Sequence, residues 1–228
     1  MRSQLSLKHF VVLGLVLLTF PNFAADIEVK VVEKAPPTEV SDEIKKQLQP
    51  KALQLLSRGK AQFEFWFAAQ LPLQSNPESA AKSLQALKPT TFLGVAVVHE
   101  NKRDYKDNDL FKNVYTMRFA LQPQDGNHSG TADFPYFAVL VPVKSDTKLD
   151  GISDYKTLVK ASSKDTPNDH PVIISLRPVS SEEVEVPKLS EPAPEHHSVR
   201  VKIPARVAGS DKPVSVVFEL VYKGTGHI

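Results

Sequence analysis

The sequence predicts a mainly β fold, an antiparallel β-sandwich of the jelly-roll type with a few short helices. Two observations lead to this prediction. Runs in which apolar and polar residues alternate, such as 61–68 and 198–207, recur along the chain between proline-rich turns. These runs do not alternate with long helical segments, so a parallel α/β sheet is not expected. We expect one domain over 26–228, in which 179–197 is an exposed, acidic, proline-rich connection.

Alternation of apolar and polar residues predicts several of the strands, and short apolar runs such as 134–143 predict others. A turn at Gly59 is expected to join the second and third strands as a hairpin, and the last two strands are expected to form another hairpin. The predicted strands are 26–32, 52–57, 61–68, 91–100, 113–122, 134–143, 171–179, 198–207 and 214–224.

Three short helices complete the predicted elements, at 41–49, 76–88 and 153–163. Ser41, Asn76 and Ser153 are the expected N-cap residues, because a short polar side chain at this position accepts a hydrogen bond from the first helical turn. Pro77 fits the first position of the second helix, where its missing N–H has no partner to lose.

The first 25 residues have the pattern of a secretory signal peptide. Basic residues precede an apolar run at 10–20, which ends at Pro21, and Ala24 and Ala25 supply small residues for cleavage. The run is too short for a membrane span, which takes roughly 20 apolar residues. The sequence therefore predicts export, to the periplasm or as a secreted protein, with no membrane span after cleavage of 1–25. Retention as an uncleaved anchor is the alternative.

Composition excludes several kinds of site and partner. The chain has 0 cysteines, so disulfides and cysteine-based zinc sites are excluded and any metal would be held by His, Asp or Glu. Two of the 28 Lys and Arg residues lie in the predicted signal peptide, which leaves 28 − 2 = 26 against 26 acidic residues. A mature chain with balanced charge predicts no nucleic-acid partner.

The strand predicted at 61–68 carries two candidate ligand-binding residues, Glu64 and Trp66. Because side chains alternate along a strand, its three phenylalanines share one face while Glu64 and Trp66 share the other. The phenylalanines predict the core face. Trp66 is then either covered by the helix at 76–88 or lines a groove, in which it would bind sugars by ring stacking beside Glu64.

The stretch 123–134, PQDGNHSGTADF, joins two predicted strands and concentrates polar residues. The structural interpretation is a wide turn in which Asp125, Asn127 and Asp133 accept hydrogen bonds from local backbone amides. The functional interpretation makes the same three residues and His128 candidates for ligand binding.

His170 is a further candidate, placed before Pro171 at the start of a predicted strand. If strand ends gather at one rim, His128, His170 and Asp133 would form a set of two histidines and one carboxylate, which is a known metal-binding arrangement. We predict no cofactor, and a divalent metal at these three residues is the alternative.

Arg118 is a candidate in the middle of the strand predicted at 113–122. An arginine within a strand commonly pairs with a carboxylate on a neighbouring strand, and Glu64 is the partner that we propose from sequence. The alternative role for Arg118 is to bind an anionic ligand.

Four segments that together span roughly residues 55 to 178 resemble an uncharacterised family of exported bacterial proteins, a domain of unknown function. The segments are GKAQFEFWFAAQLPL, NVYTMRFALQPQDGNHSGT, DFPYFAVLVPV and NDHPVIISLRP. The family shares a QPxDGNHxG loop and a later His-Pro before a strand, but it has a glycine where this chain has Asn113 before Val114. The resemblance implies a β-rich, exported fold and no particular activity.

The sequence contains no GxSxG, no HExxH and no glycine-rich phosphate loop. It therefore favours a soluble, non-catalytic binding module, whose partner is a glycan, a component of the cell envelope or another exported protein. One alternative is a metal-dependent or carboxylate-based hydrolase that uses the 125–133 loop. The other is a structural or assembly protein of the envelope that uses the two C-terminal strands as an exposed edge.

Overall fold

The computed structural model describes residues 27–104, 108–126, 128, 132–164, 166, 170–180, 185–193 and 196–224. Within these ranges the fold is mainly β, with thirteen strands, two α-helices and one 3-10 helix. The predicted fold class, mainly β and antiparallel with a few short helices, is confirmed. None of the described helices is long and apolar enough to cross a membrane. The predicted signal peptide, 1–25, lies outside the described residues.

The helices are α1 (Asp42–Lys45), the 3-10 helix (Ala80–Ala86) and α2 (Tyr155–Ser163). The strands are β1 (Ile27–Glu33), β2 (Lys51–Ser57), β3 (Lys60–Phe67), β4 (Leu71–Leu73), β5 (Phe92–Val98), β6 (Lys102–Arg103), β7 (Asp109–Leu110), β8 (Asn113–Leu121), β9 (Tyr136–Pro142), β10 (Val172–Pro178), β11 (Lys188–Ala193), β12 (His196–Val207) and β13 (Val214–Lys223).

Eleven of the described strands belong to one continuous sheet. Its order is β1-β2-β3-β5-β8-β9-β10-β13-β12-β11, and β4 adds to β12 outside this path. The β4–β12 pairing is parallel, and the others described for this sheet are antiparallel. Strands β6 and β7 form a separate two-stranded sheet. The two C-terminal strands β12 and β13 form the predicted hairpin.

This long sheet folds over so that its two halves face each other. β3 and β13 are five strand spacings apart in the order, which would separate them by about 24 Å in a flat sheet with about 4.8 Å between strands. The ring centroids of Phe63 on β3 and Tyr222 on β13 are nevertheless 6.3 Å apart. The sheet therefore curves enough to bring the inner faces of β3 and β13 into contact, which is compatible with the predicted sandwich although the pairing runs through one sheet.

The inner face of β3 carries the phenylalanine ladder, which we define as Phe63, Phe65 and Phe67. The Phe63 and Phe65 ring centroids are 5.7 Å apart, those of Phe65 and Phe67 are 6.0 Å apart, and both pairs are stacked. All three side chains are buried in the main core cluster. The predicted core face of this strand is confirmed.

A second, smaller core lies on the outer face of β9 and β10, beneath α2. Val139 and Ile173 point outward from these strands and pack with Leu158 of α2. The inward-facing neighbours on β9, Ala138 and Leu140, belong to the main core. β9 is therefore buried on both faces, which accounts for its continuous apolar sequence.

Two of the three predicted helix N-caps are wrong. Residues 80–86 form a 3-10 helix whose N-cap position is Ser79, so Asn76 and Pro77 precede the helix in the chain. This helix is positioned by Ser83, whose hydroxyl lies 3.3 Å from both the N–H and the carbonyl of Val217 on β13. Asp154, one residue after the predicted Ser153, caps α2 by accepting a hydrogen bond from the Thr157 N–H.

The third N-cap prediction is confirmed, because the Ser41 hydroxyl accepts a hydrogen bond from the Ile44 N–H.

The segment 179–197, expected to be an exposed connection, contains a strand. β11 pairs with β12, which itself begins at His196. Pro192 is tolerated because β11 is the last strand in the order, so only one of its sides has to form hydrogen bonds with a neighbouring strand. The prolines of this segment are therefore consistent with an edge strand. Residues 181–184 and 194–195 lie outside the described residues.

Gly94 of β5 has a positive φ of 148° and faces the backbone of β3. An added Cβ would lie 2.2 Å from the Trp66 carbonyl oxygen. We expect Gly94→Ala to lower the free energy of unfolding by at least about 3 kcal/mol, because the two strands would have to separate. Urea denaturation measures the effect.

The matched control is Gly126→Ala, since an added Cβ at Gly126 meets nothing within 4 Å. It should change the free energy of unfolding by less than about 0.5 kcal/mol. Equal effects of the two substitutions would contradict the close approach at Gly94.

Candidate functional site

A pocket of about 400 Å³ opens beside α2 on the outer face of the sheet. We call it the histidine pocket, because His128 and His170 both line it. Its lining residues are Ala120, Leu121, Gln122, Pro123, Asp125, His128, Phe137, Val139, Tyr155, Val159, His170, Pro171 and Ile173. Three of the candidates identified from sequence, Asp125, His128 and His170, are thus brought together.

The floor of the histidine pocket is apolar because two adjacent strands present outward-facing apolar side chains there. Phe137 and Val139 come from β9 and Ile173 from β10, and all three are buried. Val159 closes one side from α2. On these strands every second side chain packs into the inner core, and the side chains between them form an apolar outer surface. Helix α2 covers only part of this outer surface.

The Asp125–His128 pair forms the polar rim on one side. Asp125 Oδ1 lies 2.6 Å from His128 Nδ1 and also accepts a hydrogen bond of 3.1 Å from the His128 backbone N–H. The Gln122 side-chain amide donates to the His128 carbonyl. The local role expected for Asp125, bonding a backbone amide of its own turn, is confirmed, and the turn also aims the imidazole at the pocket. Asn127 lies outside the described residues.

His170 forms another part of the rim, next to the β6–β7 hairpin. Its Nδ1 lies 3.1 Å from the Pro171 carbonyl oxygen and 3.4 Å from the Asn108 amide nitrogen. The Asn108 amide donates to both oxygens of Asp104 at 3.2 Å. Asp104 also accepts a 3.1 Å hydrogen bond from the Ile173 N–H on β10. The buried Asp104 thus ties the hairpin to the strand that begins beside His170.

Tyr155, at the start of α2, completes the rim. Burial raises the pKa of its hydroxyl above the ordinary value of 10.0, and the nearby negative charge of Asp125 raises it further. The hydroxyl therefore stays protonated at neutral pH and can donate a hydrogen bond to a ligand. Sequence reasoning missed Tyr155, Asp104 and Asn108, because it treated α2 and the polar segment 101–112 only as a short helix and a loop.

Asp133 does not join the two histidines. It lines a separate pocket of about 180 Å³ with Phe134, Ser175, Arg177, Pro192, His196 and Val221. Among the residues that the structure describes, no group of three His, Asp or Glu side chains is placed to hold a metal ion. The predicted set of His128, His170 and Asp133 is therefore not assembled. Asp133 lies instead beside Ser175 of β10 and Val221 of β13.

Trp66 is fully buried and offers no surface for stacking a sugar. Its indole N–H donates a 2.8 Å hydrogen bond to the Lys34 carbonyl, and the Lys34 ammonium lies 5.8 Å from the ring centroid. The cover comes from the segment between β1 and β2 rather than from the helix expected at 76–88, which packs on β13. The groove considered for Glu64 and Trp66 is not formed.

Glu64 lies beside Trp66 at the centre of a buried polar network. Its carboxylate accepts hydrogen bonds from the Lys34 ammonium at 2.7 and 2.9 Å and from the Gln54 amide at 2.5 Å, and His99 Nε2 lies 3.0 Å away. Burial alone would raise the pKa of Glu64, but the hydrogen bonds from Lys34, Gln54 and His99 outweigh burial and lower it below its usual value. The network joins the β1–β2 connection to β3 and β5.

Arg118 pairs with Asp146 and not with Glu64 as predicted. Its Nε and Nη2 donate to the two Asp146 oxygens at 2.7 and 2.8 Å. The remaining donors reach backbone carbonyls of Thr90, Lys148 and Leu149 at 2.8–3.0 Å. Since every N–H direction of this buried guanidinium has a protein acceptor, Arg118 is structural and is not placed to bind an anionic ligand.

Register explains why the predicted Arg118–Glu64 pair does not form. Glu64 lies opposite Val97 on β5, which lies opposite Val114 on β8. Arg118 is four residues further along β8, or about 13 Å along the strand.

Comparison of the chain with protein-family models, with curated proteins and with solved structures gives no significant match.

The Glu64 network predicts a specific dependence of stability on pH. Because the folded-state pKa of Glu64 is lowered, its contribution is fully present above the unfolded-state value near 4.5 and is lost as pH falls through the folded-state value. We expect Glu64→Gln to lower the free energy of unfolding by about 2 kcal/mol at neutral pH, since charge-assisted hydrogen bonds are lost. The difference from the wild type should shrink below pH 4.5, as measured by urea denaturation across the acidic range.

Glu39→Gln, at an exposed carboxylate, is the control and should have little effect at any pH. A Glu64→Gln effect that stays constant from neutral pH to well below 4.5 would show that the carboxylate charge is not what stabilises the fold.

Proposed function

We propose that this protein is a binding protein whose ligand is a small amphipathic molecule held in the histidine pocket. The observation that carries the proposal is an apolar floor, formed by Phe137, Val139 and Ile173, beneath a rim of hydrogen-bonding side chains. Pockets of this size, mostly apolar with a few convergent polar groups, are typical of small-molecule sites. The floor supports the apolar part of the ligand, and the rim binds its polar end.

The chemistry of the pocket favours one of the three partner classes expected from the sequence. A glycan needs many polar groups along its binding surface, but the pocket floor is apolar, and Trp66, the ring expected to stack on a sugar, is buried. An amphipathic component of the cell envelope fits both the floor and the rim. The rim can donate from Tyr155 and accept at Asp125, so the polar end of the ligand carries hydroxyl or amine groups.

Export supports the same assignment, because an exported protein meets envelope components directly. The inference rests on the signal-peptide pattern of 1–25 and the small residues Ala24 and Ala25. Mass spectrometry of the protein recovered from the periplasm of a bacterial host should give a chain that begins at Ala25 or Asp26. A chain that retains Met1 in the membrane fraction would refute export as a cleaved protein.

A neutral apolar fluorophore tests ligand binding. We expect N-phenyl-1-naphthylamine to bind saturably with increased fluorescence, because the pocket floor excludes water. Val159→Trp places a large ring into the pocket from α2 and should weaken binding at least tenfold. Fluorescence titration measures the affinity, and thermal melting checks that the variant is folded.

Lys156→Trp is the matched control, since Lys156 is exposed on the same helix and does not line the pocket. It should bind the fluorophore as the wild type does. The proposal fails if the wild type shows no saturable binding, or if Val159→Trp and Lys156→Trp bind equally well.

A hydrolase is the second candidate, and the Asp125–His128 pair is the observation that favours it. A carboxylate 2.6 Å from one imidazole nitrogen is the geometry that orients a general base. The described lining residues include no Ser, Thr or Cys, so the attacking group would be water. Turnover of p-nitrophenyl acyl esters that is lost in His128→Ala would establish this candidate; saturable binding without turnover would exclude it for these esters.

An assembly role through the C-terminal strands has less support. β12 and β13 were expected to provide an exposed edge, but each has described neighbours on both sides. The ends of the sheet are β1 and β11 instead.

A further inference from the structure

Among the described strands, β1 ends the sheet, and its edge is regular. β1 is the first strand in the sheet order and, within the described residues, pairs only with β2, without any shift in register from Ile27 to Glu33. The opposite end of the sheet is protected, because β11 contains Pro192 and its register with β12 shifts after Ser190. β1 has neither a proline nor a shift in register, so it presents alternate backbone N–H and carbonyl groups to another strand, and its charged side chains limit which strand can pair with it.

The two faces of β1 differ in character. Glu28 and Lys30 lie on one side and are exposed, with 2.8 Å between their charged atoms, while Val32 at the end of the same side packs against the core. Ile27 and Val29 lie on the other side and pack against the core. Val31, which follows them on that side by alternation, is 49 % exposed, the highest value among the exposed large hydrophobic residues described.

Charge and apolar patterning select one register for pairing between two copies of β1. In an antiparallel pair related by a two-fold axis, the residue on the axis lies opposite itself. An axis at Val29 places Glu28 opposite Lys30 of the second copy and Ile27 opposite Val31 of the second copy. An axis at Lys30 would place two lysines opposite each other, and an axis at Glu28 two glutamates, both of which are unfavourable. An axis at Val31 would place Lys30 opposite Val32, so the charge of Lys30 would have no partner on the second copy.

We propose that the protein forms a symmetric dimer through antiparallel pairing of β1 with β1 of a second copy, centred on Val29. The pairing extends over Ile27–Val31 and joins two sheets into one. It covers Val31, which is exposed in the single chain. Within each strand, Glu28 and Lys30 form an exposed ion pair that contributes little to stability. Its replacement by two ion pairs between the strands therefore costs little free energy.

Charge reversal tests the proposal by sedimentation velocity over a concentration series. We expect the wild type to dimerise and Lys30→Glu to be monomeric over the same range, because Glu28 would then face a glutamate. The double variant Glu28→Lys/Lys30→Glu should restore dimerisation, since opposite charges again face each other. Lys202→Glu, the same charge change at an exposed position on the interior strand β12, should dimerise as the wild type does.

Cross-linking tests the register independently, because the chain has 0 cysteines. In an antiparallel pair, residues directly opposite each other have Cα atoms about 4.5–5.5 Å apart, which suits a disulfide. Val29→Cys should therefore form a covalent dimer on mild oxidation. Val31→Cys should not, because its two copies would be separated by about 13 Å along the strands. Val31 is the more exposed residue, so random collision would favour the opposite result.

A wild-type protein that stays monomeric at millimolar concentration would overturn the proposal. It would also be overturned if Lys30→Glu dimerised as well as the wild type, or if Val31→Cys cross-linked as readily as Val29→Cys. Circular dichroism confirms that each variant is folded. The result is independent of the histidine pocket, which lies on the part of the sheet formed by β8, β9 and β10.

Discussion

The packing of the phenylalanine ladder against the opposite half of the sheet is the contact on which the rest of the fold depends. The apolar inner face of a sheet of this length must be shielded from water, and no described helix is long enough to cover it. The curvature of the sheet shields this face, because the apolar side chains of β3 and β13 then pack against each other. The short strand β4, which leads from the end of β3 to pair with β12, fixes the fold by backbone hydrogen bonds.

Once the sheet has folded over, what covers its outer face decides where ligands can bind. Over β3 the cover is tight, since the segment between β1 and β2 encloses Trp66 and satisfies Glu64. Over β8, β9 and β10 the cover is α2, a helix of nine residues, which leaves apolar side chains accessible at its N-terminal end. The histidine pocket is thus the part of the outer face that the short helix does not fill.

The buried charges of Arg118 and Glu64 show that a charged residue in an apolar strand is not by itself evidence of a ligand site. Arg118 and Glu64 both lie within strands of apolar sequence, where an ionisable group draws attention as a possible ligand contact. Each is instead saturated by partners far away in the chain, Asp146 for Arg118 and Lys34 for Glu64. A buried charge with all its hydrogen bonds made stabilises one arrangement of the strands, and no lone pair or N–H remains for a ligand.

The sequence by itself determined the fold class, most of the strands, the two hairpins and the core face of β3, because these depend on local alternation and turn residues. It also identified Asp125 and His128 from the density of polar residues in one loop, and His170 from its place before a predicted strand. Only the tertiary structure decided that these three line one pocket while Asp133 does not, that Asp146 is the partner of Arg118, and that β1 ends the sheet among the described strands. Each of these outcomes depends on strand order and register between distant segments, which no local pattern encodes.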